Sequence, residues 1–158
     1  MKKLFLLAGI AAMIYACGGG TQQDNTASDE ASSSASSSST PTPADNPDGV
    51  GKFKDVQIPE KLDAALADKG QSVYDVKCSS CHKLSDERLV GPGWKDVTKR
   101  NTAAWIMNFV TNVDEMLNTD PKAQAQLEIC LVRMPNQNLS DEDARNVYEF
   151  MRKNDGVQ

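Results

Sequence analysis

Five consecutive residues, Cys78-Ser79-Ser80-Cys81-His82, constrain this chain more than any other feature. Two cysteines separated by two residues and followed by a histidine form the attachment signature of a c-type haem. Each thiol adds across one vinyl group, so the short separation has a mechanical reason, and the histidine ligates the iron from the proximal side. His82 is the only histidine in the 158 residues, which excludes bis-histidine ligation within the chain. We therefore expect one covalently attached haem c.

The cysteine pair has two other interpretations, and both lack the context they need. A thioredoxin-like dithiol requires a βαβ arrangement, and the sequence shows no convincing strand pattern. A structural zinc site requires four ligands, and outside the motif only Cys17 and Cys130 remain, far apart in the sequence. Haem attachment is the favoured interpretation.

The N-terminal segment resembles a bacterial lipoprotein signal. Two lysines precede an apolar run over residues 4–14, which is too short to span a membrane and is typical of a secretory signal. The run leads to Ala16-Cys17, where the resemblance implies cleavage before Cys17 and acylation of that cysteine. An ordinary signal peptide cut nearby is the alternative. Residues 1–16 thus predict export to the bacterial cell envelope, with the domain facing the periplasm. They do not determine which membrane leaflet holds the anchor.

Composition divides the rest of the chain at about residue 50. Residues 17–50 are rich in serine and proline and lack apolar periodicity. Such a segment buries too little surface to offset its ordering entropy, so we expect a disordered tether with a typical span of ~30 Å. Residues 51–158 are long enough for one core and are expected to be monomeric. Their 15 basic and 17 acidic residues lack the basic excess of a nucleic-acid-binding domain.

The sequence of this domain predicts helices throughout, so we expect its fold class to be all-α. Apolar residues at helical spacing carry this prediction. Asp120 followed by Pro121 fits a helix start, and Ser140 followed by acidic residues fits an N-cap. The expected helices span residues 59–77, 102–117, 121–132 and 141–155.

Three short patterns, in their order along the chain, resemble a class I monohaem cytochrome c. They are a Gly-x-x-x-Tyr-x-x-x-Cys pattern at residues 70–78, Val-Gly-Pro at residues 90–92 and Arg-Met-Pro at residues 133–135. The resemblance covers residues 62–153. The chain departs from small bacterial members in its longer middle, about 40 residues between Pro92 and Met134.

The resemblance implies a cytochrome c-like helical domain around the haem. Its first and last helices would cross at Gly70, with Phe150 packed there and Tyr74 alongside. It also implies that the backbone carbonyl of Pro92 accepts a hydrogen bond from His82. Metal-bound imidazole usually donates its other N–H in this way, which fixes the ring and its tautomer.

A methionine is the expected sixth ligand, because the chain has no second histidine and His/Met ligation suits electron transfer. Met107 and Met151 lie within helical patterns, where core packing explains them. Met134 lies in a loop stiffened by Pro135 and is the predicted distal ligand. Met116, near a helix end, and an open sixth position are the alternatives.

Three further features have two interpretations each. Trp94 and Trp105 fit either a haem pocket, with an indole N–H reaching a propionate, or an ordinary core. Cys130 is expected as a buried structural thiol, with an intermolecular disulfide as the alternative. Basic residues near the motif form either a positive rim that steers the protein to an acidic redox partner or a scattered solvated surface. They are Lys77, Lys83, Arg88, Lys95, Lys99 and Arg100.

These features predict a membrane-tethered periplasmic electron carrier and not an enzyme. It would pass single electrons from a quinol-oxidising complex to a terminal reductase or oxidase. The run at residues 134–139 resembles cytochromes that accompany nitrous-oxide reductase. A haem-based gas sensor with an open sixth site is the alternative function. A haem peroxidase is disfavoured, because one haem and no spare histidine leave little acid–base machinery.

Overall fold

Six helices and their connecting loops make up residues 46–158, the part of the chain that this computed structural model describes. This part contains no β-strand and only one isolated bridge, between His82 and Arg88. The all-α prediction is therefore confirmed. None of the described helices is long and apolar enough to cross a membrane. The predicted signal, Cys17 and most of the predicted tether lie outside the described residues. In chain order the helices are α1 (Ala64–Lys77), α2 (Val97–Arg100), α3 (Ala103–Thr111), α4 (Val113–Thr119), α5 (Pro121–Cys130) and α6 (Asp141–Asn154).

The first and last long helices, α1 and α6, cross at Gly70. A Cβ atom on Gly70 would overlap the backbone carbonyl of Asn146 and lie 2.9 Å from the Cβ of Phe150. The Tyr74 and Phe150 rings lie 5.4 Å apart beside the crossing. This is the arrangement that the resemblance implied, and it places the end of α1, with Cys78, against the core.

Side-chain caps explain where three of the helices begin. Asp63 accepts from the amide of Leu66, 3.1 Å away, so α1 starts at residue 64 and not at the expected residue 59. Asp120 caps α5 with Pro121 at its first position, as expected. Ser140 caps α6 in a reciprocal capping box with Asp143. Each cap satisfies an amide that has no partner within its helix.

The helix expected over residues 102–117 is two helices, α3 and α4, which are separated at Asn112. The backbone of Asn112 leaves the helical region at φ −137° and ψ 49°. Its side-chain amide also donates to the carbonyl of Val50, 3.4 Å away. Asparagine competes for backbone hydrogen bonds in this way and disfavours a helix interior. Helix α5 likewise ends at Cys130, two residues early, because Leu131 adopts a left-handed conformation at φ 60°.

Residues 46–58 form an N-terminal strap that packs against α3 and α4. The fully buried side chain of Asn108 donates to the carbonyls of Asp48 and Phe53, at 2.8 and 2.9 Å. It also accepts from the amide of Phe53 at 2.9 Å. The amide of Val50 donates to the sulfur of Met116, 3.0 Å away. The packed part of the chain therefore begins before the expected boundary at residue 51.

A buried charged cluster joins α6 to the segment before α1. The Glu149 carboxylate is fully buried and bonds Arg152 at 2.7 Å, Arg145 at 2.5 Å and the amide of Asp63 at 2.8 Å. Arg152 also donates to the carbonyls of residues 59–60. Burial acts to raise the pKa of Glu149, but the Asp63 amide and the two guanidinium groups outweigh it and lower that pKa. The cluster thus holds a carboxylate in its charged form inside the core.

Candidate haem site

Two adjoining cavities of about 380 and 280 Å³ lie between the Cys-x-x-Cys-His loop and helices α3 and α5. Most of their lining residues are apolar. The side chains that line both cavities belong to the motif loop, α3, α5 and the segment before α6. They are His82, Pro92, Phe109, Gln126 and Met134. The two cavities therefore form one crevice, with the predicted proximal and distal residues both on its walls.

The two motif cysteines lie at the end of α1. The amide of Cys78 donates to the carbonyl of Tyr74 at 2.9 Å, and the amides of Cys81 and His82 donate back to the carbonyl of Cys78. This tight turn places Cys81 and His82 on the wall of the larger cavity, whereas the Cys78 side chain is buried in the hydrophobic core. Both thiols are free, and burial raises the pKa of Cys78 to about 11, so its thiol is protonated.

The imidazole of His82 is held from several sides. Its Nδ1 atom lies 2.9 Å from the carbonyl oxygen of Pro92, the contact that the resemblance implied. A Cβ atom at Gly91 would overlap the ring, and the Trp94 ring lies 5.6 Å from it. The Tyr74 hydroxyl donates to the backbone carbonyl of His82 at 2.8 Å.

This arrangement determines which nitrogen of His82 is available. Because a carbonyl oxygen only accepts, Nδ1 carries the proton, and Nε2 keeps a free lone pair. Burial lowers the pKa of His82, against the opposing effect of the Pro92 carbonyl. A neutral imidazole with a free Nε2 is the form that binds a metal.

The four methionines of residues 51–158 lie in different surroundings. Met134 is half-buried and lines both cavities. Met116 is fully buried, lines neither cavity and has its sulfur on the strap amide of Val50. Met107 is buried and lines neither cavity, whereas Met151 lines only the smaller one. Met134 is thus the methionine that shares both cavities with His82.

The two tryptophans of the chain have different roles. Trp94 packs between Tyr74 and His82 and lines the smaller cavity. Trp105 also lines that cavity, but its indole N–H donates to the carboxylate of Asp120, 3.3 Å away. The indole N–H of Trp105 is therefore engaged within the protein, and contact between an indole N–H and a propionate stays a prediction.

Sequence reasoning did not select several residues of the crevice. Phe109 belongs to an apolar helical stripe, which predicts burial but not a binding site. Gln126 is a polar residue in the middle of α5, and no pattern distinguishes it. Asn101 lines the smaller cavity with a buried Oδ1 atom that has no hydrogen-bond partner among residues 46–158. Only the fold brings these positions together.

The environment of Cys130, at the end of α5, differs from the expected one. It is half-buried and lines the larger cavity, whereas a buried structural thiol was expected. Its thiol is free in the structure. The thiol therefore faces the crevice and does not sit in the helical core.

The outer edge of the larger cavity is apolar and exposed. Val90 and Val132 line the cavity, and both side chains are 40% or more exposed. The guanidinium of Arg88 donates to the carbonyl of Ile129 at 2.5 Å and so joins the two segments that carry these residues. We call this surface the apolar rim; it consists of Leu89, Val90, Ile129, Leu131 and Val132.

The basic cluster near the motif is partly neutralised. Three of its six members pair with carboxylates at the surface. The other three donate to backbone carbonyls and have no carboxylate within 4.0 Å among residues 46–158. The paired members are Lys83, Lys95 and Lys99, and the others are Lys77, Arg88 and Arg100. The basic cluster therefore carries a smaller positive excess than the sequence suggested.

Comparison with known proteins defines the class of the chain. The family model described as cytochrome c matches residues 67–155. A solved cytochrome c from Rhodothermus marinus is 36% identical, with a TM-score of 0.64, and the match covers 66% of this chain and 90% of that one. An engineered cytochrome c from Rhodothermus marinus is 33% identical, with a TM-score of 0.66, over 70% of this chain and 98% of that one.

A third structure, of the engineered Rhodothermus marinus protein with a bound carbene intermediate, is 33% identical with a TM-score of 0.63. This match covers 70% of this chain and 98% of that one. No curated protein matches the chain. The helical fold, the motif loop and the family match together define a haem protein of the c type. The chain belongs to the cytochrome c family and is a class I monohaem member.

The residues of the crevice fit the haem c that this family carries. Cys78 and Cys81 have the required spacing and free thiols. Gly91 leaves room for the His82 ring, and the Pro92 carbonyl orients it. The walls are apolar, as a porphyrin requires. The chain therefore carries one covalently attached haem c, and haem-based electron transfer is its general function.

Proposed function

We propose that this protein is a membrane-tethered electron carrier whose haem is ligated by His82 and Met134. The observation that carries the proposal is that these two side chains line the same two cavities, among apolar walls. Bound there, the haem supplies a one-electron iron couple, and the protein supplies ligation, burial and docking.

The chain's own residues tune that couple in three ways. The Pro92 carbonyl accepts from Nδ1 of His82 and thereby increases the basicity of the ligating nitrogen. A Met134 thioether is a weak donor, and His/Met ligation raises the reduction potential. The apolar walls exclude water, which disfavours the more highly charged oxidised state.

The apolar rim is the proposed docking surface for redox partners. Its Val90 and Val132 side chains border the larger cavity and are exposed, so a partner bound there would approach the haem closely. Arg88, which has no carboxylate within 4.0 Å among residues 46–158, adds a positive charge beside them. We propose a quinol-oxidising complex as the donor and a terminal reductase or oxidase as the acceptor. Nitrous-oxide reductase is one such acceptor, on the resemblance of residues 134–139.

A carrier and not an enzyme is the interpretation that the crevice favours. Among the described residues that line the two cavities there is no second imidazole, and the one carboxylate, that of Asp86, lies at the smaller cavity and pairs with Lys95. General acid–base chemistry requires such a group within reach of the reacting atoms. The alternative gas-sensing function requires an open sixth position, and the presence of Met134 in both cavities argues against it.

The cellular location is proposed from the sequence. The lysines and apolar run before Ala16-Cys17 support export and acylation at Cys17. We propose that residues 17–45 link this anchor to the described domain, which works in the periplasm.

A redox titration of the holoprotein with spectra of both states tests the proposal. Wild type should show low-spin His/Met spectra. Met134→Ala should keep the attached haem, lose the Met-to-iron charge-transfer band, lower the reduction potential and bind carbon monoxide. Met116→Ala is the matched control and should keep the wild-type band, because its sulfur contacts the strap. A wild-type spectrum in Met134→Ala would reject the ligand assignment, and carbon monoxide binding by the wild type would favour the sensor.

A further inference from the structure

The segment that carries Met134 has few polar contacts that could hold it in place, although Met134 and Leu139 pack against the core. Residues 132–139 belong to no helix or strand, and Met134, Gln137 and Leu139 are the only half-buried residues among them. None of the eight is fully buried. The position of Met134 therefore cannot come from local secondary structure or deep burial.

Only two side-chain bridges connect this segment to the rest of the described chain. Lys77, at the end of α1, donates to the carbonyl of Gln137 at 3.0 Å. Arg133 makes the other bridge, to α4. The remaining polar contacts of residues 132–139 are within the segment.

The Arg133 bridge is the more specific of the two. One guanidinium nitrogen, Nη2, lies 2.9 Å from Oδ1 of Asn118, 3.2 Å from Oδ1 of Asp114 and 3.3 Å from the Asp114 carbonyl. Asp114 and Asn118 are four residues apart and share one face of α4. Arg133 therefore bonds to a single patch on one helix.

Helix α4 is a rigid support for that bridge. Its Met116 and Leu117 side chains are buried, and Leu117 lines the same cavity as Met134. The bridge therefore fixes the position of Arg133, the neighbour of Met134 in the sequence, relative to a wall of the haem crevice.

We propose that Arg133 is a positioning residue that keeps the Met134 sulfur in the crevice by fastening its loop to Asp114 and Asn118 of α4. This inference rests on the proposed function, because it takes Met134 as the distal ligand. Without the bridge, the loop samples positions in which the sulfur is displaced. An external ligand for the iron then competes more easily, because its apparent affinity rises with the population of the open state.

Stability and positioning can be separated at this site. Arg133 and Asp114 are largely exposed, with 43% and 72% of their side chains accessible. Exposed ion pairs contribute little to global stability. Loss of the bridge should therefore leave thermal unfolding nearly unchanged while it weakens retention of the methionine.

The experiment measures imidazole binding to the ferric holoprotein by absorbance. Arg133→Gln should bind imidazole about two- to fivefold more tightly than wild type, the effect of losing one exposed ion pair. The double variant Asp114→Asn with Asn118→Ala should shift the Kd in the same direction without touching the loop. Arg133→Lys keeps a positive charge that can reach the same patch, so it should recover part of the wild-type Kd.

Lys153→Gln is the matched control. Lys153 pairs with Asp68 at 2.8 Å, with 44% and 69% of the two side chains accessible, and it lies outside the Met134 loop. Its imidazole Kd should equal that of wild type. A wild-type Kd in Arg133→Gln, or an equal shift in Lys153→Gln, would overturn the inference.

Met134→Ala separates this inference from the proposed function. If Met134→Ala loses the charge-transfer band and Arg133→Gln keeps the wild-type Kd, Met134 is the ligand and only the positioning role is overturned. If Met134→Ala keeps the wild-type spectrum, the ligand assignment fails and the positioning role fails with it.

Discussion

Gly70 of α1 lies directly against the backbone carbonyl of Asn146 in α6, with no space for a side chain between the two helices. The obstruction is main chain, which cannot rotate away as a flexible side chain can. The crossing also brings Tyr74 to Phe150 and fixes the end of α1, from which the haem-binding loop begins. One glycine thus sets the distance between the two longest described helices.

Replacement of this glycine should destabilise the domain. Gly70→Val forces the helices apart, and we expect the free energy of unfolding to fall by about 1–3 kcal/mol. Urea denaturation of the holoprotein measures the change. Ala65→Val is the control, because Ala65 lies on the same helix but is exposed. Equal losses in the two variants would show that helix propensity, and not the crossing, is responsible.

The buried carboxylate of Glu149 predicts a pH dependence of stability. Its pKa is lowered in the folded protein, so it contributes stability above the unfolded-state pKa of about 4.3, and this contribution is lost as the pH falls through the folded value. Glu149→Gln should remove this acid-sensitive part. At pH 7 it should also cost about 3 kcal/mol, because Arg152 remains buried without its counter-charge.

Denaturation midpoints at several pH values test this prediction. Glu142→Gln is the control, since Glu142 pairs with Lys69 at the surface, with 72% of its side chain accessible. Its pH profile should match that of wild type. A Glu149→Gln profile that still falls below pH 4.3 as steeply as wild type would assign the acid sensitivity elsewhere.

Covalent haem attachment should depend on two thiols and not on the third. Wild type should retain haem on a denaturing gel, and Cys78→Ser with Cys81→Ser should lose it, because no thioether can form. Cys130→Ser is the control and should retain haem, although its thiol lines the larger cavity. Haem staining of the double variant would show attachment at another site.

Membrane association should depend on Cys17. We expect Cys17→Ser to release a soluble or unprocessed form, because stable anchoring by lipid requires two or more chains and the variant can carry none. Fractionation of cells into membrane and periplasmic extracts measures this. Wild-type protein that is already soluble in the periplasmic extract would contradict lipid anchoring.

Local signals in the sequence were sufficient for much of the fold. Ser140 and the Asp120-Pro121 pair marked helix starts, because a cap depends on residues within one turn. The cysteine spacing and the single histidine identified the haem loop for the same reason. The order of glycine, aromatic and methionine patterns then indicated the family and its crossing at Gly70.

Long-range contacts account for what could not be predicted. The break at Asn112 depends on a carbonyl of the strap, 62 residues earlier in the chain. The sequence predicts that Glu149 is an exposed polar residue of an amphipathic helix. It is buried instead, because Asp63 and two arginines surround its carboxylate. Gln126 enters the crevice only because α5 folds over it. The two arginines stand at helical spacing from Glu149, but the strap carbonyl, the Asp63 amide and the fold of α5 leave no periodic pattern in the sequence.

The strap at residues 46–58 has a mechanical consequence. Any pull that arrives from the N-terminal side reaches the strap before it reaches α1 and the haem loop. The load falls first on the hydrogen bonds that Asn108 makes to Asp48 and Phe53. These bonds join the strap to the buried face of α3, so the force enters the core there and bypasses the Cys78–His82 turn. Tension on the N-terminal segment is therefore carried by α3 and not by the haem-binding loop.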